Sequence, residues 1–299
     1  MSTIRQPDLG RARTFLFVPA SRPERIAKAV ATGTDVVIID LEDAVAPADK
    51  PAAREALLGW MEANPGERVV VRINAAGTAC HEEDLAACRH AGVAGVLLPK
   101  ADSAAQVEHA HRASGQPVLC IVETGQGLEA LAQIARAQGC ARLVFGKLDL
   151  AVELDLVPDE SDPEELVFLP WRAMLVLASR RAGLPAPVDG VFTGIGDAAA
   201  LGRYAARARR HGFGGQLLIH PTQVAPVAAA FTPSAQDLAW ARAVLDAAEA
   251  AGGGAAVVDG RMIDAPVIAR AERILAVAAA SRTAVQRSSS NPGPSPARR

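Results

Sequence analysis

The segment VLCIVETGQG, residues 118–127, contains the pattern that decides the fold. Its first half, residues 118–122, is apolar and rich in β-branched side chains, which predicts a buried strand. The strand ends at Glu123, and two glycines, Gly125 and Gly127, follow it. A carboxylate at the end of a buried strand is costly unless a partner or a ligand balances its charge. Glu123 is therefore a candidate functional residue.

Seven further apolar runs alternate with Ala-rich segments whose apolar residues recur at helical spacing. Runs that are apolar nearly throughout are typical of parallel strands covered on both faces. Eight such strands predict a (β/α)8 barrel, the TIM barrel, over residues 1–231. The rival is a doubly wound sheet, which usually has a Gly-rich turn after its first strand, and VPASRPER (18–25) contains no such turn. The seven runs are TFLFV (14–18), VVIID (36–40), VVVRI (69–73), VAGVLL (93–98), RLVFG (142–146), PVDGV (187–191) and GQLLI (215–219).

The rest of the chain predicts two further regions. Residues 232–281 predict a C-terminal helical extension, interrupted at AGGGAAVVDGRMIDAP (251–266). Residues 282–299 are polar and rich in Ser, Pro and Arg, which predicts a disordered tail.

Composition excludes several classes of partner. A formal charge of −2 and 4% aromatic residues give no reason to expect nucleic acid or an anionic membrane surface. The N-terminal residues have no apolar secretory core, and no apolar run reaches membrane-spanning length. The cysteines have no CxxC spacing, so we expect reduced thiols and a cytoplasmic protein. Zinc binding within CHEEDLAACRH (80–90) is disfavoured because no second pair of ligands completes the site.

Ionisable residues follow most of the predicted strands, at ends that share one rim of a parallel barrel. Each alone has a structural explanation, such as an Asp that caps a helix, but together they predict a site. Glu123 and Asp149 follow neighbouring strands, and two carboxylates suit Mg²⁺. Two carboxylates that share a proton are the metal-free alternative. We favour the metal because Arg72 and Lys100 imply an anionic ligand. The rim residues are Asp40, Arg72, Lys100, Glu123, Asp149 and His220.

The motifs around these residues resemble the citrate lyase beta-subunit-like family, within the HpcH/HpaI aldolase superfamily. The resemblance extends from Arg13 to about Leu275. Any one motif is weak, but their joint order is highly specific. The motifs include LFVPASRPERIAKA (16–29), DVVIIDLEDAVAPADKPAAR (35–54), VETGQGL (122–128), FGKLDLA (145–151), GFGGQLLIHPTQV (212–224) and GRMIDAPV (260–267).

The resemblance implies the residues of an active site. Glu123 and Asp149 match the Mg²⁺ ligands of the family. Arg72 matches the arginine that holds the carboxylate or carbonyl of a 2-oxo acid. Backbone groups around Gly146 and Lys147 match those that line the same pocket.

The resemblance also implies residues around that centre. Glu42 and Asp43 match acids that hydrogen-bond the waters of the metal. Asp264 matches an acid/base that the C-terminal extension places over the site of a neighbouring subunit, in a homotrimer or a hexamer. Arg25 and Lys28, after the first strand, are candidates for contact with CoA phosphates, although an exposed amphipathic helix explains them equally well.

The function implied is a Mg²⁺-dependent carbon–carbon lyase. It would cleave a citryl-, citramalyl- or malyl-CoA-like 3-hydroxyacyl-CoA into acetyl-CoA, or a related acyl-CoA, and a 2-oxo acid, or catalyse the reverse condensation. One alternative is a class II type 2-oxo-acid aldolase without CoA. Such aldolases usually have an early His base, and here no His precedes His81. A non-catalytic barrel subunit is the third hypothesis, and a missing metal ligand would favour it.

Three local features stand apart from these roles. Lys147 occupies a position that is usually small or neutral in the family that the chain resembles, so its cation would either reach the substrate or point away. ELDL (153–156) replaces a segment in which relatives often have Gly, and this predicts an altered loop. His220, before Pro221, predicts a structural residue whose ring bonds a backbone carbonyl at the end of the eighth strand.

Overall fold

The computed structural model describes residues 7–158, 165–251, 256–258 and 260–289. The chain divides into two units, Met1–Phe231 and Thr232–Arg299. In the first unit eight parallel strands close into a barrel in sequence order, and the last strand pairs with the first. The predicted TIM barrel is therefore confirmed. Its strands are β1 Thr14–Pro19, β2 Val36–Asp40, β3 Val69–Arg72, β4 Val93–Leu98, β5 Val118–Val122, β6 Cys140–Phe145, β7 Val188–Asp189 and β8 Gly215–Leu218.

Helices follow the strands on the outside of the barrel, as the apolar spacing predicts. Short 3₁₀ turns, such as Pro221–Gln223 before α10, lead into several of them. The helices of the first unit are α1 Ile26–Ala31, α2 Lys50–Ala63, α3 His81–Ala87, α4 Ala104–Ser114, α5 Gly125–Glu129, α6 Leu131–Ile134, α7 Lys147–Glu153, α8 Leu169–Arg181, α9 Ala198–Arg210 and α10 Val224–Phe231.

Two apolar layers hold the barrel. Side chains such as Phe15, Leu119 and Val144 fill its interior, and their sequence neighbours pack outward against the helices. Arg142, 1% exposed, donates hydrogen bonds to the carbonyls of Leu9, Ala12 and Ala186. Arg142 lies in the first half of β6, and its side chain fills the amino-terminal end of the barrel. A site can therefore form only at the opposite rim, at the carboxyl ends of the strands.

Strand β7 is shorter than predicted. It contains only Val188 and Asp189, whereas the apolar run predicted residues 187–191. Pro187 has no N–H to donate to the ladder. The N–H of Gly190 bonds the Asp189 side chain at 2.9 Å and is thereby withdrawn from strand pairing. Both ends of the strand are limited by these two effects.

The second unit is a helix, a hairpin and a second helix. Ser234 caps α11 Ala235–Ala250, and the antiparallel strands β9 Ala256–Val258 and β10 Arg261–Ile263 lead into α12 Ala265–Ser289. Helix α12 continues into the region predicted as a tail from residue 282, because SRTAVQ contains no glycine or proline to stop it. Residues 290–299 of that tail lie outside the described residues. No helix in the described ranges has the length and apolar character needed to cross a membrane.

Candidate active site

Strands β2 and β3 bring Arg72 into an acidic frame at the barrel rim. Arg72 Nε and Nη2 donate to the two carboxylate oxygens of Asp40 at 2.7 and 2.5 Å. Its Nη1 pairs with Glu42 at 2.9 Å and with Asp43 at 3.4 Å. The two parallel bonds to Asp40 fix the plane of the guanidinium. These carboxylates outweigh the cost of burial and raise the pKa of Arg72.

Lys100 connects the acids of three strands. Its backbone adopts the left-handed conformation, with φ of 46°, which is uncommon for a residue with a Cβ. In this conformation its N–H donates to Glu123 Oε1 at 2.8 Å, while Nζ lies 3.1 Å from Glu42 Oε1 and 3.8 Å from Asp149 Oδ1. Burial opposes the charge of the ammonium, but the carboxylates outweigh it and raise the pKa of Lys100.

Glu123 is the buried member of the pair predicted to hold a metal. It is 4% exposed, and burial, together with the neighbouring Asp149 carboxylate, raises its pKa from 4.5 to about 8. Asp149 lies in the first turn of α7 and its side chain is 45% exposed. Glu42 is also buried, and burial raises its pKa.

Gly146 allows Glu123 to occupy this position. A Cβ added to Gly146 would lie 2.2 Å from Glu123 Oε2 and 2.5 Å from Glu123 Cβ. No side chain fits in that space. The glycine of FGKLDL is thus required by the close approach of the β6 end to the Glu123 carboxylate.

The donor set fits a hard divalent cation. One oxygen of Glu123 accepts the Lys100 N–H, while Oε2 has no hydrogen bond among the described residues. The raised pKa of Glu123 shows that protein charges alone do not offset its burial beside Asp149. Oxygen ligands from Glu123 and Asp149, with Glu42 close by, are those that Mg²⁺ prefers, and they leave positions for water or substrate.

Lys147 points toward a buried ionic cluster. Its Nζ donates to Glu165 Oε1 at 2.6 Å and lies 4.6 Å from the centre of the Tyr204 ring. Burial lowers the pKa of Lys147 despite this partner. The two alternatives for its cation were contact with the substrate and a direction away from it, and the structure pairs the ammonium with Glu165, in line with the second. Only the backbone of Lys147, at the start of α7, is then available to line the pocket.

The proposed CoA contacts lie on exposed surface after β1. Arg25 ends the 3₁₀ turn Pro23–Arg25, and Lys28 lies in α1. Both side chains are exposed, and neither has an ion-pair partner in the part of the chain that the structure describes. Their charges are therefore available to an anionic ligand.

His220 caps the turn after β8, as predicted for a structural role, but with a different partner. Its Nδ1 accepts the N–H of Thr222 at 3.3 Å and lies 2.8 Å from Thr222 Oγ1. The partners are an N–H and a hydroxyl, and the predicted bond to a backbone carbonyl is wrong. The first N–H groups of a helical turn have no partner within the turn, so the ring nitrogen of His220 accepts from one of them. His220 also borders a cleft of about 240 Å³ that Ile195, Leu201 and Gln223 help to line.

Asp264 caps the last helix. Its Oδ1 accepts the N–H of Val267 at 3.2 Å, and the residue is exposed. The cap by itself is a structural role for this aspartate. A cap uses one carboxylate oxygen, so the other remains available for proton transfer.

Comparisons with known proteins identify the family. Residues 13–221 match the family model described as HpcH/HpaI aldolase/citrate lyase. The chain belongs to this family. A citrate lyase subunit beta-like protein of Mycobacterium tuberculosis is 43% identical over 264 residues, 87% of this chain and 93% of the relative. Family membership confirms the predicted resemblance and the predicted enzyme class, a lyase of the citrate lyase beta-subunit-like type.

Two further relatives differ in what their names state. A (3S)-malyl-CoA thioesterase of Cereibacter sphaeroides is 35% identical over 274 residues, 90% of this chain and 95% of the relative. The crystal structure of CitE from M. tuberculosis in complex with magnesium, acetoacetate and coenzyme A superposes with a TM-score of 0.78 at 40% identity. It covers 91% of this chain and 100% of that one.

Sequence reasoning placed Asp40 on the rim without a role of its own, and it treated Lys100 only as a cation that, with Arg72, implies an anionic ligand. Both were visible as charged residues at strand ends. The contacts of Asp40 depend on the orientation of the Arg72 guanidinium, and those of Lys100 depend on its left-handed backbone. Neither feature can be predicted from a pattern of residues. Glu165 was missed altogether, because its position in an irregular segment before α8 gives no periodic signal.

Proposed function

We propose that this protein is a Mg²⁺-dependent carbon–carbon lyase that acts on a 3-hydroxyacyl-CoA with a carboxylate on the hydroxyl-bearing carbon. The observation that carries the proposal is the buried Glu123 carboxylate beside Asp149, with Arg72 held in its acidic frame on the same rim. Such a site offers a cation and a guanidinium to one small anionic group. Magnesium and coenzyme A in the related CitE structure support the same ligands here.

Glu123 and Arg72 would position different parts of the site, the metal ion and the substrate carboxylate. Glu123 and Asp149 would hold Mg²⁺, which when bound lowers the pKa of a substrate hydroxyl and orients it. Arg72 presents a fixed guanidinium to the substrate carboxylate, which a lysine could not match in geometry. As the hydroxyl proton passes to water, the bond between the hydroxyl carbon and the thioester α-carbon breaks. Its electron pair enters a thioester enolate, and the hydroxyl carbon becomes the carbonyl carbon of the 2-oxo acid. A carboxylic acid, for which we propose Asp264, then protonates the α-carbon of the enolate.

The CoA portion would cross the rim on the side of β1 and β8, which are paired neighbours. Arg25 and Lys28 supply exposed positive charge after β1, and the cleft beside His220 follows β8. A cation pair and a partly apolar cleft suit a chain of phosphates joined to an organic arm.

A panel of acyl-CoA substrates tests the proposal. Malyl-, citramalyl- and citryl-CoA are each incubated with the enzyme and Mg²⁺, and mass spectrometry follows the acyl-CoA and 2-oxo acid formed. We expect cleavage of at least one substrate, lost with EDTA and in Glu123→Gln. The matched control is Glu129→Gln, an exposed glutamate on α5, which should keep full activity. Cleavage that persists in Glu123→Gln or in EDTA would overturn the proposal.

A thioesterase is the second candidate, because a relative of 35% identity bears that name. The same products distinguish the two. A lyase releases an acyl-CoA and a 2-oxo acid, whereas a thioesterase releases free CoA and the intact hydroxy acid.

The assembly and the location also stay proposals. We propose a homotrimer or a hexamer in which Asp264 of the C-terminal extension serves a neighbouring copy. We propose the cytoplasm as its location. Measurement of mass in solution by light scattering tests the first proposal.

A further inference from the structure

Three metal-ligating side chains lie together on helices α3 and α4, outside the barrel rim. The ligand atoms of His81, Glu82 and His109 all lie within 4.8 Å of one another. His81 and Glu82 begin α3, and His109 lies in α4. Two imidazoles and a carboxylate are a ligand set that zinc uses in proteins, with water in the fourth position. We propose that this cluster binds a divalent transition-metal ion of the zinc type.

The orientation of His81 favours this role. The residue is 4% exposed, and its Nδ1 lies 2.8 Å from the carbonyl oxygen of Asn74. Because a carbonyl only accepts, Nδ1 carries the proton, and Nε2 of the neutral ring presents a lone pair. Nε2 has no hydrogen-bond partner among the described residues. Histidines that bind metals almost always donate their other N–H to a carbonyl or a carboxylate in this way.

The other two ligands are accessible and can adjust around His81. His109 Nε2 lies 2.9 Å from Glu82 Oε1, and their side chains are 46% and 69% exposed. The rings of His81 and His109 are stacked, with centres 6.1 Å apart. A bound ion replaces the proton between His109 and Glu82, and that proton moves to Nδ1 of His109 or to solvent.

Ligand chemistry separates this site from the rim site. Imidazole nitrogens suit zinc, cobalt and nickel, whereas the carboxylates at the rim suit a hard ion such as Mg²⁺. The cluster also differs from the set considered in CHEEDLAACRH. Cys88 is buried in the core, and the Nδ1 of His90 accepts the N–H of Gly92. The third ligand comes instead from α4, so the ion would join two helices that are adjacent on the barrel.

Zinc binding to the full-length protein tests the proposal. Calorimetry measures Zn²⁺ affinity after chelator treatment, in excess Mg²⁺, and the visible spectrum of added Co²⁺ reports nitrogen ligation. We expect one strong Zn²⁺ site per chain. The variant His109→Gln loses a metal ligand, so its Zn²⁺ affinity should fall by more than about 100-fold. Loss of a residue that only hydrogen-bonds a ligand already lowers metal affinity by about 10–100-fold. Glu82→Gln should lower the Zn²⁺ affinity by at least about 10-fold.

Two control variants locate the ion. His90→Gln removes a nearby histidine that is outside the cluster, and Glu123→Gln removes a rim carboxylate. Both should keep the Zn²⁺ affinity of the wild type. The substituted positions of the cluster are half exposed, so both ligand variants should fold, which circular dichroism checks. Equal Zn²⁺ affinity in wild type and His109→Gln, or loss of the site in Glu123→Gln, would overturn the proposal.

Discussion

At the scale of single residues, the burial of Glu123 determines its protonation state and thereby its ability to bind a metal. A buried carboxylate whose pKa is about 8 is largely protonated at neutral pH, and a protonated acid is a poor metal ligand. In the proposed binding mode, Mg²⁺ displaces a proton from Glu123 when it binds. The neighbouring Lys100 N–H and Nζ reduce that cost but do not remove it.

The first prediction concerns pH and stability without metal. Folding raises the pKa of Glu123 from 4.5 to about 8, so between these values the folded state binds more protons than the unfolded state. The free energy of unfolding in EDTA should fall as pH rises from 4.5 to about 8, by up to a few kcal/mol from this group. Urea unfolding across this pH range measures it. The fall should be smaller in Glu123→Gln, in which other buried acids such as Glu42 still contribute, and an unchanged slope in that variant would refute the assignment.

The second prediction concerns Gly146. An alanine there places its Cβ 2.2 Å from Glu123 Oε2, so Glu123 has to move. We expect Gly146→Ala to fold, and to lose most of its Mg²⁺ affinity and lyase activity. Gly59→Ala, in α2, is the matched control, because nothing lies within 4 Å of its added Cβ. Isothermal titration with Mg²⁺ and an activity assay measure both variants; full affinity in Gly146→Ala would contradict the role given to this glycine.

Single residues also show the limit of sequence reasoning. Glu123, Asp149 and Arg72 were predictable because the strand ends fix their Cα positions on one rim. The direction of Lys147 was not, since it depends on Glu165, a partner 18 residues away. A long side chain can point to either side of a strand end, and only the packed structure decides.

At the scale of elements, the short strand β7 is held by a buried ionic cluster in addition to its few hydrogen bonds to neighbouring strands. Asp189, fully buried, accepts from Arg172 Nε at 3.1 Å and from Arg207 Nη2 at 3.4 Å. The two arginines lie on α8 and α9. The second strand residue of β7 therefore ties both flanking helices to the barrel. The apolar run at 187–191 could not reveal this, because it shows the strand but not its charged contacts.

The third prediction concerns this cluster. Asp189→Ala leaves two buried guanidinium groups with less compensation, and breaking a buried ion pair costs about 3–5 kcal/mol of unfolding free energy. Asp197→Ala, at the exposed N-cap of α9, should cost only about 1 kcal/mol. Urea unfolding of both variants makes the comparison. Equal losses would show that the buried cluster contributes no more than a helix cap.

At the scale of the whole molecule, the proposed catalytic acid Asp264 belongs to a different unit from the other proposed site residues. The barrel rim holds the proposed metal ligands and the proposed anion-binding arginine, whereas Asp264, the proton donor to carbon that the family resemblance implies, is in the second unit. The sequence predicted both the closed barrel and the helical extension, because strand and helix periodicity are local. Periodicity does not specify what the extension packs on. The predicted neighbouring subunit comes from the family resemblance alone and stays a prediction.

The last prediction separates the cap from the catalyst. Asparagine and serine cap helices about as well as aspartate, so Asp264→Asn and Asp264→Ser should keep the fold, the oligomer and Mg²⁺ binding. Neither can donate a carboxylic proton, and both should slow carbon–carbon chemistry by about 10²–10⁴-fold. A role limited to capping the N–H of Val267 would leave turnover unchanged in both.

Mixing variants then locates the catalyst in the assembly. Asp264→Asn and Glu123→Ala subunits are each inactive, but a mixed oligomer contains sites that combine an intact metal pair from one chain with an intact Asp264 from its neighbour. Activity should therefore return after subunit exchange, which native mass spectrometry verifies. If each chain completes its own site, every site in the mixture lacks one group, and activity stays absent. The two arrangements of the active site thus give opposite results in one experiment.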